Sequence, residues 1–236
     1  MEVFHTDSRI VITCNKRLSP YLQKEVEELG FTPTRVFQTG IELNGTVNDC
    51  VALNLNLRCA SQVIYLLKSF TAADPKELYE GLLEIEWEKL IDFTGYFSVT
   101  SNVNNEHITT PLFANVKVKD AIVDRIKDKK GIRPNSGSDQ NKTVIHLYWQ
   151  DDRAEVFLDT SGETLAKHSY RKIPGKAPML EALAAATIMA TNWDRKSTFI
   201  NPMCGSGTLA IEAALLATDK SPGFFRMNYG FMPIIG

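Results

Sequence analysis

The chain has little of what marks secreted, membrane-spanning or metal-binding proteins. Its four cysteines are scattered without a C-x-x-C pair, and its four histidines show no metal-ligand spacing. These absences argue against a disulfide framework and against a zinc site. No apolar run reaches the ~18 residues of a membrane span, and residues 1–9 lack the apolar core of a signal peptide. We therefore expect a cytoplasmic protein with no metal and no membrane contact. The residues concerned are Cys14, Cys50, Cys59, Cys204, His5, His107, His146 and His168.

An excess of positive charge is also missing, since 26 basic residues face 28 acidic ones and the net charge is −2. One stretch departs from this balance, because residues 116–133 hold seven basic and three acidic side chains. A solvated helix face is one explanation, and a surface that contacts RNA phosphates is the other. The basic residues are Lys117, Lys119, Arg125, Lys127, Lys129, Lys130 and Arg133.

The first 70 residues alternate between strand and helix patterns. Apolar and β-branched runs predict strands at residues 9–14, 35–37, 41–43 and 62–70. Between them, Ser19 as an N-cap followed by a proline predicts one helix start, and a capping box at Thr46 predicts another. The resulting order, β-α-β-β-α-β, is typical of a ferredoxin-like fold.

The middle of the chain has equally clear local signals. Asp74, a proline and Glu77 predict a helix start. A strand is expected at residues 96–101. The longest helix is expected at 111–130, with one stripe made of Val118, Ala121, Ile122, Arg125 and Ile126. Polar stretches at 102–110 and 131–142 indicate loops, and a hairpin is expected at 143–159.

A strand, a glycine loop and a helix follow near the end. Residues 197–201 favour a strand, residues 208–218 favour a helix, and an earlier helix at 179–192 is expected to bury its apolar side chains against that strand. A helix N-terminus beside Gly205 and Gly207 favours an anionic ligand. The phosphate-loop motif of NTPases does not fit, because no Lys follows the second glycine. Spacing alone also allows the dinucleotide fingerprint of an oxidoreductase.

The longer string Asn-Pro-Met-Cys-Gly-Ser-Gly-Thr at residues 201–208 is more particular. It resembles the S-adenosylmethionine-binding loop of class I methyltransferases that modify RNA bases. Four further stretches, at residues 116–124, 158–162, 168–171 and 177–185, come in the order found in one family. The chain thus resembles the THUMP-domain RNA methyltransferases, and within them the bacterial enzymes that form N2-methylguanine in large-subunit rRNA.

The resemblance implies an α+β N-terminal region, ferredoxin-like at residues 1–70 and THUMP at 71–160. The first part of an α/β Rossmann-like methyltransferase domain would follow at residues 161–236. The implied function is methyl transfer from S-adenosylmethionine to an RNA base, with rRNA favoured over tRNA. The implied cofactor residues are Asn201, Pro202, Met203, Cys204, Gly205, Ser206, Gly207 and Thr208. The candidate RNA contacts are Lys117, Lys119, Arg125, Lys129, Lys130 and Arg133. Cys204 could instead be a nucleophile for pyrimidine methylation, but its place within the loop favours a small residue that fills the turn.

The chain departs from the family pattern in three ways. Asn201 stands where the family usually has Asp, and Ser169 where it usually has Gly. The family's catalytic Asn/Asp-Pro-Pro-Tyr/Phe motif is missing, because no Pro-Pro pair occurs and only 29 residues follow Gly207. We therefore expect a fragment that does not methylate RNA alone. A non-catalytic RNA-binding module is the alternative.

Overall fold

The computed structural model describes residues 4–92, 95–105, 108, 110–173 and 178–235. His107, Ala177 and residues 1–3, on which some sequence-based expectations rest, lie outside these ranges. The chain divides into two compact units, each built from separate stretches of sequence. The first unit is Met1–Ser8, Ile64–Glu163 and Asn228–Gly236, and the second is Arg9–Val63 and Thr164–Met227.

Eight strands and seven α-helices make up the described structure. The strands are β1 (Ser8–Cys14), β2 (Arg35–Phe37), β3 (Gly40–Gly45), β4 (Ala60–Thr71), β5 (Tyr96–Asn104), β6 (Asn135–Gly137), β7 (Thr143–Gln150) and β8 (Arg153–Asp159). The helices are α1 (Ser19–Glu28), α2 (Val47–Asn56), α3 (Pro75–Leu83), α4 (Pro111–Lys130), α5 (Glu181–Ala190), α6 (Thr208–Ala217) and α7 (Met232–Ile235), with a 3-10 turn at Trp87–Lys89.

The second unit begins with the predicted ferredoxin-like arrangement. Its strands lie in the order β2-β3-β1 and then residues 60–63 of β4, which is the order expected of a β-α-β-β-α-β chain. The predicted capping box is confirmed, because the Thr46 N–H donates to Asp49 Oδ2 at 2.7 Å and the Asp49 N–H donates to Thr46 Oγ1 at 3.3 Å. Leu22 and Leu53, on the inner faces of α1 and α2, are fully buried.

The first unit is a mixed sheet with strand order β4-β8-β7-β5-β6. The β7–β8 hairpin is antiparallel, as predicted, whereas β5 runs parallel to both β6 and β7. The predicted start of α3 is confirmed, since Asp74 Oδ1 accepts the N–H groups of Lys76 and Glu77 at 2.7 and 2.9 Å.

Helix α4 is anchored in the core of the first unit by the predicted apolar stripe. Val118, Ala121, Ile122 and Ile126 are all completely buried. Each buried Val or Ile side chain of this stripe stabilises the fold by about 1.5–3 kcal/mol relative to an exposed one, and the smaller Ala121 contributes less. The helix therefore has a fixed inner face, and its other side chains are left for the surface.

The predicted strand at residues 197–201 does not form. No stretch of the second unit that the structure describes pairs with these residues, and a strand without a neighbour has no ladder hydrogen bonds to hold it. Phe199 instead packs on Trp193, with ring centroids 5.3 Å apart, beside a cluster of Ile188, Ala213 and Leu216.

Helix α5 is also shorter and less buried than predicted. It packs on α6 through Ile188, whereas Leu183 is 44% exposed. The expected burial against a strand fails because that strand is absent.

Three smaller expectations are wrong. Ser19 is the first residue of α1 rather than its cap, and the cap, Leu18, makes no side-chain hydrogen bond. Strand β5 continues through residues 102–104, and the predicted loop at 131–142 contains the short strand β6. Residues 102–104 and 135–137 are strands because they pair with β7 and β5, which polarity alone does not reveal.

In the part of the chain that the structure describes, no helix is long and apolar enough to cross a membrane.

Candidate functional site

Residues 201–208 of the second unit form the loop that leads into α6. Gly207 is the N-cap of this helix with φ 79°, and Gly205 has φ 51°. The Gly207 N–H donates to the carbonyl of Cys204 at 2.8 Å, which closes the turn. Side chains other than glycine avoid such positive φ values, so the two glycines set the path of the loop.

The loop faces open space. A Cβ atom added at Gly205 or Gly207 would meet no atom within 4 Å, and Met203 is 89% exposed. The first N–H groups of α6 have no partner within the helix and carry the positive end of its dipole. The arrangement can hold an anionic group of a ligand close to the backbone.

Asn201 opens this loop with an unsatisfied donor. Its side-chain nitrogen is buried and has no hydrogen-bond partner, although the residue is only half-buried. An amide can present its oxygen or its nitrogen to a neighbour. A polar ligand group beside Asn201 would satisfy the side chain, so the residues present fit the amino acid end of S-adenosylmethionine.

Arg171 forms hydrogen bonds to two hydroxyl groups of the loop. The sequence pattern did not identify it as a site residue. Its Nε donates to Glu181 Oε1 at 3.3 Å, its Nη1 to Ser206 Oγ at 3.2 Å and its Nη2 to Thr208 Oγ1 at 2.8 Å. The family-like stretch at residues 168–171 was the signal that could have found it.

A buried polar cluster lies behind the loop, within the same unit. His168 pairs with Glu212 of α6 through one ring nitrogen, and its Nε2 lies 3.0 Å from the carbonyl oxygen of Arg58. Burial, and then the charge of Glu212, raise the pKa of the Tyr170 hydroxyl. Through these contacts the cluster connects α6 to Arg58, near the end of the ferredoxin-like segment. The helix that follows the loop is therefore fixed within this unit.

The basic end of α4, defined as Lys127, Lys129, Lys130 and Arg133, is a surface of the first unit. All four side chains are exposed. Gly131 ends the helix with φ 71°, and cations in a last turn are favoured by the helix dipole. The same charges are available to an RNA backbone.

The basic side chains in the first part of α4 are less exposed or already contact other residues of the first unit. Lys117 Nζ lies 5.6 Å from the ring centroid of Phe113, and Lys119 is half-buried. Arg125 binds Glu88 with both Nε and Nη2, at 2.9 and 3.1 Å, and donates to the carbonyl of Leu83. This contact lowers the pKa of Glu88. Arg125 thus has a structural partner that the sequence pattern did not reveal, because Glu88 is 37 residues away.

The side chain of Cys204 is exposed, and its carbonyl accepts the N–H of Gly207 within the turn. The other three cysteines are buried, and burial raises the pKa of Cys14 to about 11. Among the described residues, no group of three or more His, Cys, Asp or Glu side chains could hold a metal ion.

Three family models match the chain in sequence order. Residues 9–64 match the RlmL ferredoxin-like domain, residues 72–159 the THUMP domain, and residues 168–233 the RMKL-like methyltransferase domain. These matches confirm the predicted fold class and the predicted resemblance to THUMP-domain methyltransferases.

Individual relatives agree with these matches. A ribosomal RNA large subunit methyltransferase K/L from Magnetococcus marinus is 37% identical over 94% of this chain and 31% of its own length. The crystal structure of a predicted N6-adenine-specific DNA methylase from Listeria monocytogenes has a TM-score of 0.83 and 30% identity, over 94% of this chain and 58% of that one. A methyltransferase candidate solved with bound SAH has a TM-score of 0.83 and 27% identity, over 95% of this chain and 59% of that one. The chain spans about a third of the length of the curated relative that it matches.

Proposed function

We propose that this chain, which carries RlmL ferredoxin-like, THUMP and RMKL-like methyltransferase domains, is the RNA-binding and cofactor-loop part of an S-adenosylmethionine-dependent RNA methyltransferase. The observation that carries the proposal is the open glycine loop at residues 201–208. It leads into the N-terminus of α6 within the matched methyltransferase domain. We divide the chain at residues 1–70, 71–160 and 161–236, a division supported by the three matched ranges.

The loop residues would hold the methionine end of the cofactor. Those residues are Asn201, Pro202, Met203, Cys204, Gly205, Ser206, Gly207 and Thr208. The bound sulfonium supplies an already activated methyl group. Catalysis then depends mainly on alignment of the acceptor with that methyl group. Gly205 and Gly207, the second of which is the cap of α6, set the path of the loop, which would contribute to that alignment.

The first unit would bind RNA through phosphate contacts. Its matched THUMP domain includes α4, whose basic end presents four exposed cations in a chain with a net charge of −2. Such contacts position an RNA without reading its bases. Arg125 contributes least to this proposal, since Glu88 already binds its guanidinium.

We propose large-subunit rRNA as the substrate and guanine N2 as the acceptor, in the cytoplasm. The name of the Magnetococcus marinus relative supports rRNA. A guanine within a paired stem must be unstacked and turned outward before its amine can reach a methyl donor, at a cost of about a few kcal/mol.

The test uses the full-length protein and S-adenosylmethionine labelled in its methyl group. Label should enter large-subunit rRNA from cells that lack this protein, and digestion of that rRNA should release labelled N2-methylguanosine. Total tRNA from the same cells serves as the comparison substrate. Label in tRNA alone would overturn the choice of rRNA, and no label in either RNA would overturn the proposed activity.

A further inference from the structure

We infer that Arg171 binds the carboxylate of the cofactor's methionine end and is a specificity-determining residue of the cofactor site. The inference rests on the proposed function, since it assumes that the loop at residues 201–208 holds this cofactor. It adds a residue outside the loop, on a different stretch of the second unit.

The guanidinium of Arg171 is held in place beside the loop at residues 201–208. Its Nε is fixed by Glu181, and the two side chains are only 15% and 8% exposed. Its terminal nitrogens donate to Ser206 Oγ in the loop and to Thr208 Oγ1 in the first turn of α6. Three of the five N–H groups of an arginine are used in these bonds, which leaves one on each terminal nitrogen.

Charge favours an anion at this position. Residues 201–211 carry no charged side chain, and the guanidinium of Arg171 reaches this loop with its Nε paired to Glu181 and its two terminal nitrogens bonded to the loop hydroxyls. The cation lies next to the N-terminus of α6, where the helix dipole adds to it. A planar fork of N–H donors matches the geometry of a carboxylate.

The loop hydroxyls complete the match. Ser206 Oγ and Thr208 Oγ1 accept from Arg171 and lie 3.2 Å from each other. Only one hydroxyl hydrogen is needed between them, so the other remains available to donate to a ligand oxygen. A carboxylate would be recognised by one guanidinium and one hydroxyl, whereas a ligand that lacks the carboxylate would leave these donors without that acceptor.

The competing explanation is that Arg171 only positions the loop through its hydroxyl contacts. The two explanations differ in how they treat a ligand without a carboxylate. A positioning residue matters equally for S-adenosylhomocysteine (SAH) and for decarboxylated SAH, which keeps the adenosine, the sulfur and the amine. A carboxylate-binding residue matters only for SAH.

The experiment measures both affinities by calorimetry on the full-length protein and its variants. Wild type should bind SAH about 10- to 100-fold more tightly than decarboxylated SAH, as a charge-assisted hydrogen bond predicts. In Arg171→Ala that ratio should fall to within about threefold of one, and Arg171→Lys should give an intermediate ratio. Arg195→Ala removes an exposed arginine of the same unit and should leave the wild-type ratio unchanged. If Arg171→Ala does not fold, Arg171→Gln removes the charge with less loss of volume and should lose the ratio in the same way.

Each outcome separates this inference from the proposed function. If wild type binds neither ligand, the cofactor assignment itself fails. If wild type binds SAH and Arg171→Ala weakens both ligands equally, Arg171 positions the loop and the inference is overturned. An unchanged ratio in Arg171→Gln would overturn it as well.

Discussion

His168 Nδ1 lies 2.7 Å from Glu212 Oε1, and the two side chains are 1% and 0% exposed. The Nε2 atom of His168 faces the carbonyl oxygen of Arg58, which can only accept a hydrogen bond. Nε2 therefore carries a hydrogen, and Nδ1 shares a proton with the Glu212 carboxyl group. The pair fixes α6 at Glu212, and the N-terminus of the same helix follows the glycine loop.

Removal of either member of this pair should strongly destabilise the second unit. His168→Ala leaves Glu212 buried without its partner, and we expect a loss of about 3–5 kcal/mol in the free energy of unfolding. Urea unfolding of wild type, both single variants and the double variant measures the coupling between them. Lys24→Ala breaks an exposed pair with Glu28 and should cost less than about 0.5 kcal/mol. A similar small cost for His168→Ala would contradict the importance of the pair.

Gly207→Ala should impair cofactor binding, and Gly131→Ala is its matched control. The two glycines have φ values of 79° and 71°, and neither would place a Cβ within 4 Å of another atom. Backbone strain should therefore cost each variant about 1–2 kcal/mol of stability. Only Gly207→Ala should weaken SAH binding, by tenfold or more, because only Gly207 sets the loop before α6. Calorimetry would refute this if the two variants bound SAH equally well.

SAH should protect Cys204 from alkylation. Cys204 is exposed within the proposed cofactor loop, whereas burial raises the pKa of Cys14 to about 11. At pH 8 only about one Cys14 thiol in a thousand is ionised, so iodoacetamide should modify Cys204 first. Mass spectrometry of the carbamidomethylated peptides with and without SAH gives the two rates. Equal Cys204 rates at saturating SAH would argue against a ligand over the loop.

The basic end of α4 should contribute to RNA affinity in a salt-dependent way. Combined substitution of Lys129, Lys130 and Arg133 by Ala should lower the slope of log K against log salt concentration by about 2–3, since each phosphate contact contributes about 0.7–0.9. Substitution of Lys16, Lys24 and Lys196 removes the same charge from exposed positions of the second unit. Filter binding of an rRNA fragment compares the two triple variants. The same slope in both would show that only net charge matters.

Ser169→Gly should stabilise the protein. Ser169 is exposed and has φ 62°, in the left-handed region that costs a residue with a Cβ about 1–2 kcal/mol. Glycine removes that strain but loses more entropy on folding, so we expect a net gain of about 0.5–1 kcal/mol. Thermal unfolding tests the variant beside Ser138→Gly, an exposed serine of the first unit that the structure does not place at positive φ. A lower melting temperature for Ser169→Gly would refute the explanation.

Features that depend on neighbouring residues were predictable. The capping box at Thr46, the cap of α3 at Asp74 and the apolar stripe of α4 each involve side chains within a few turns of one another. The sequence also contained the glycine loop and the family-like stretches. Ser169 stands where the family usually has Gly, and its φ of 62° lies in the region that glycine favours.

Features that depend on distant partners were decided by the tertiary structure. Residues 197–201 have the composition of a strand but no neighbour to pair with, and residues 102–104 are polar yet pair with β7. Arg125 is a candidate RNA contact by its sequence pattern, and the fold pairs its guanidinium with Glu88, 37 residues away. Arg171 and Ser206 are 35 residues apart, and only folding brings that guanidinium to the loop. Local hydrogen bonds and helical periodicity depend on residues that are close together in sequence. Strand pairing and ion pairing depend on which distant segments the fold brings together.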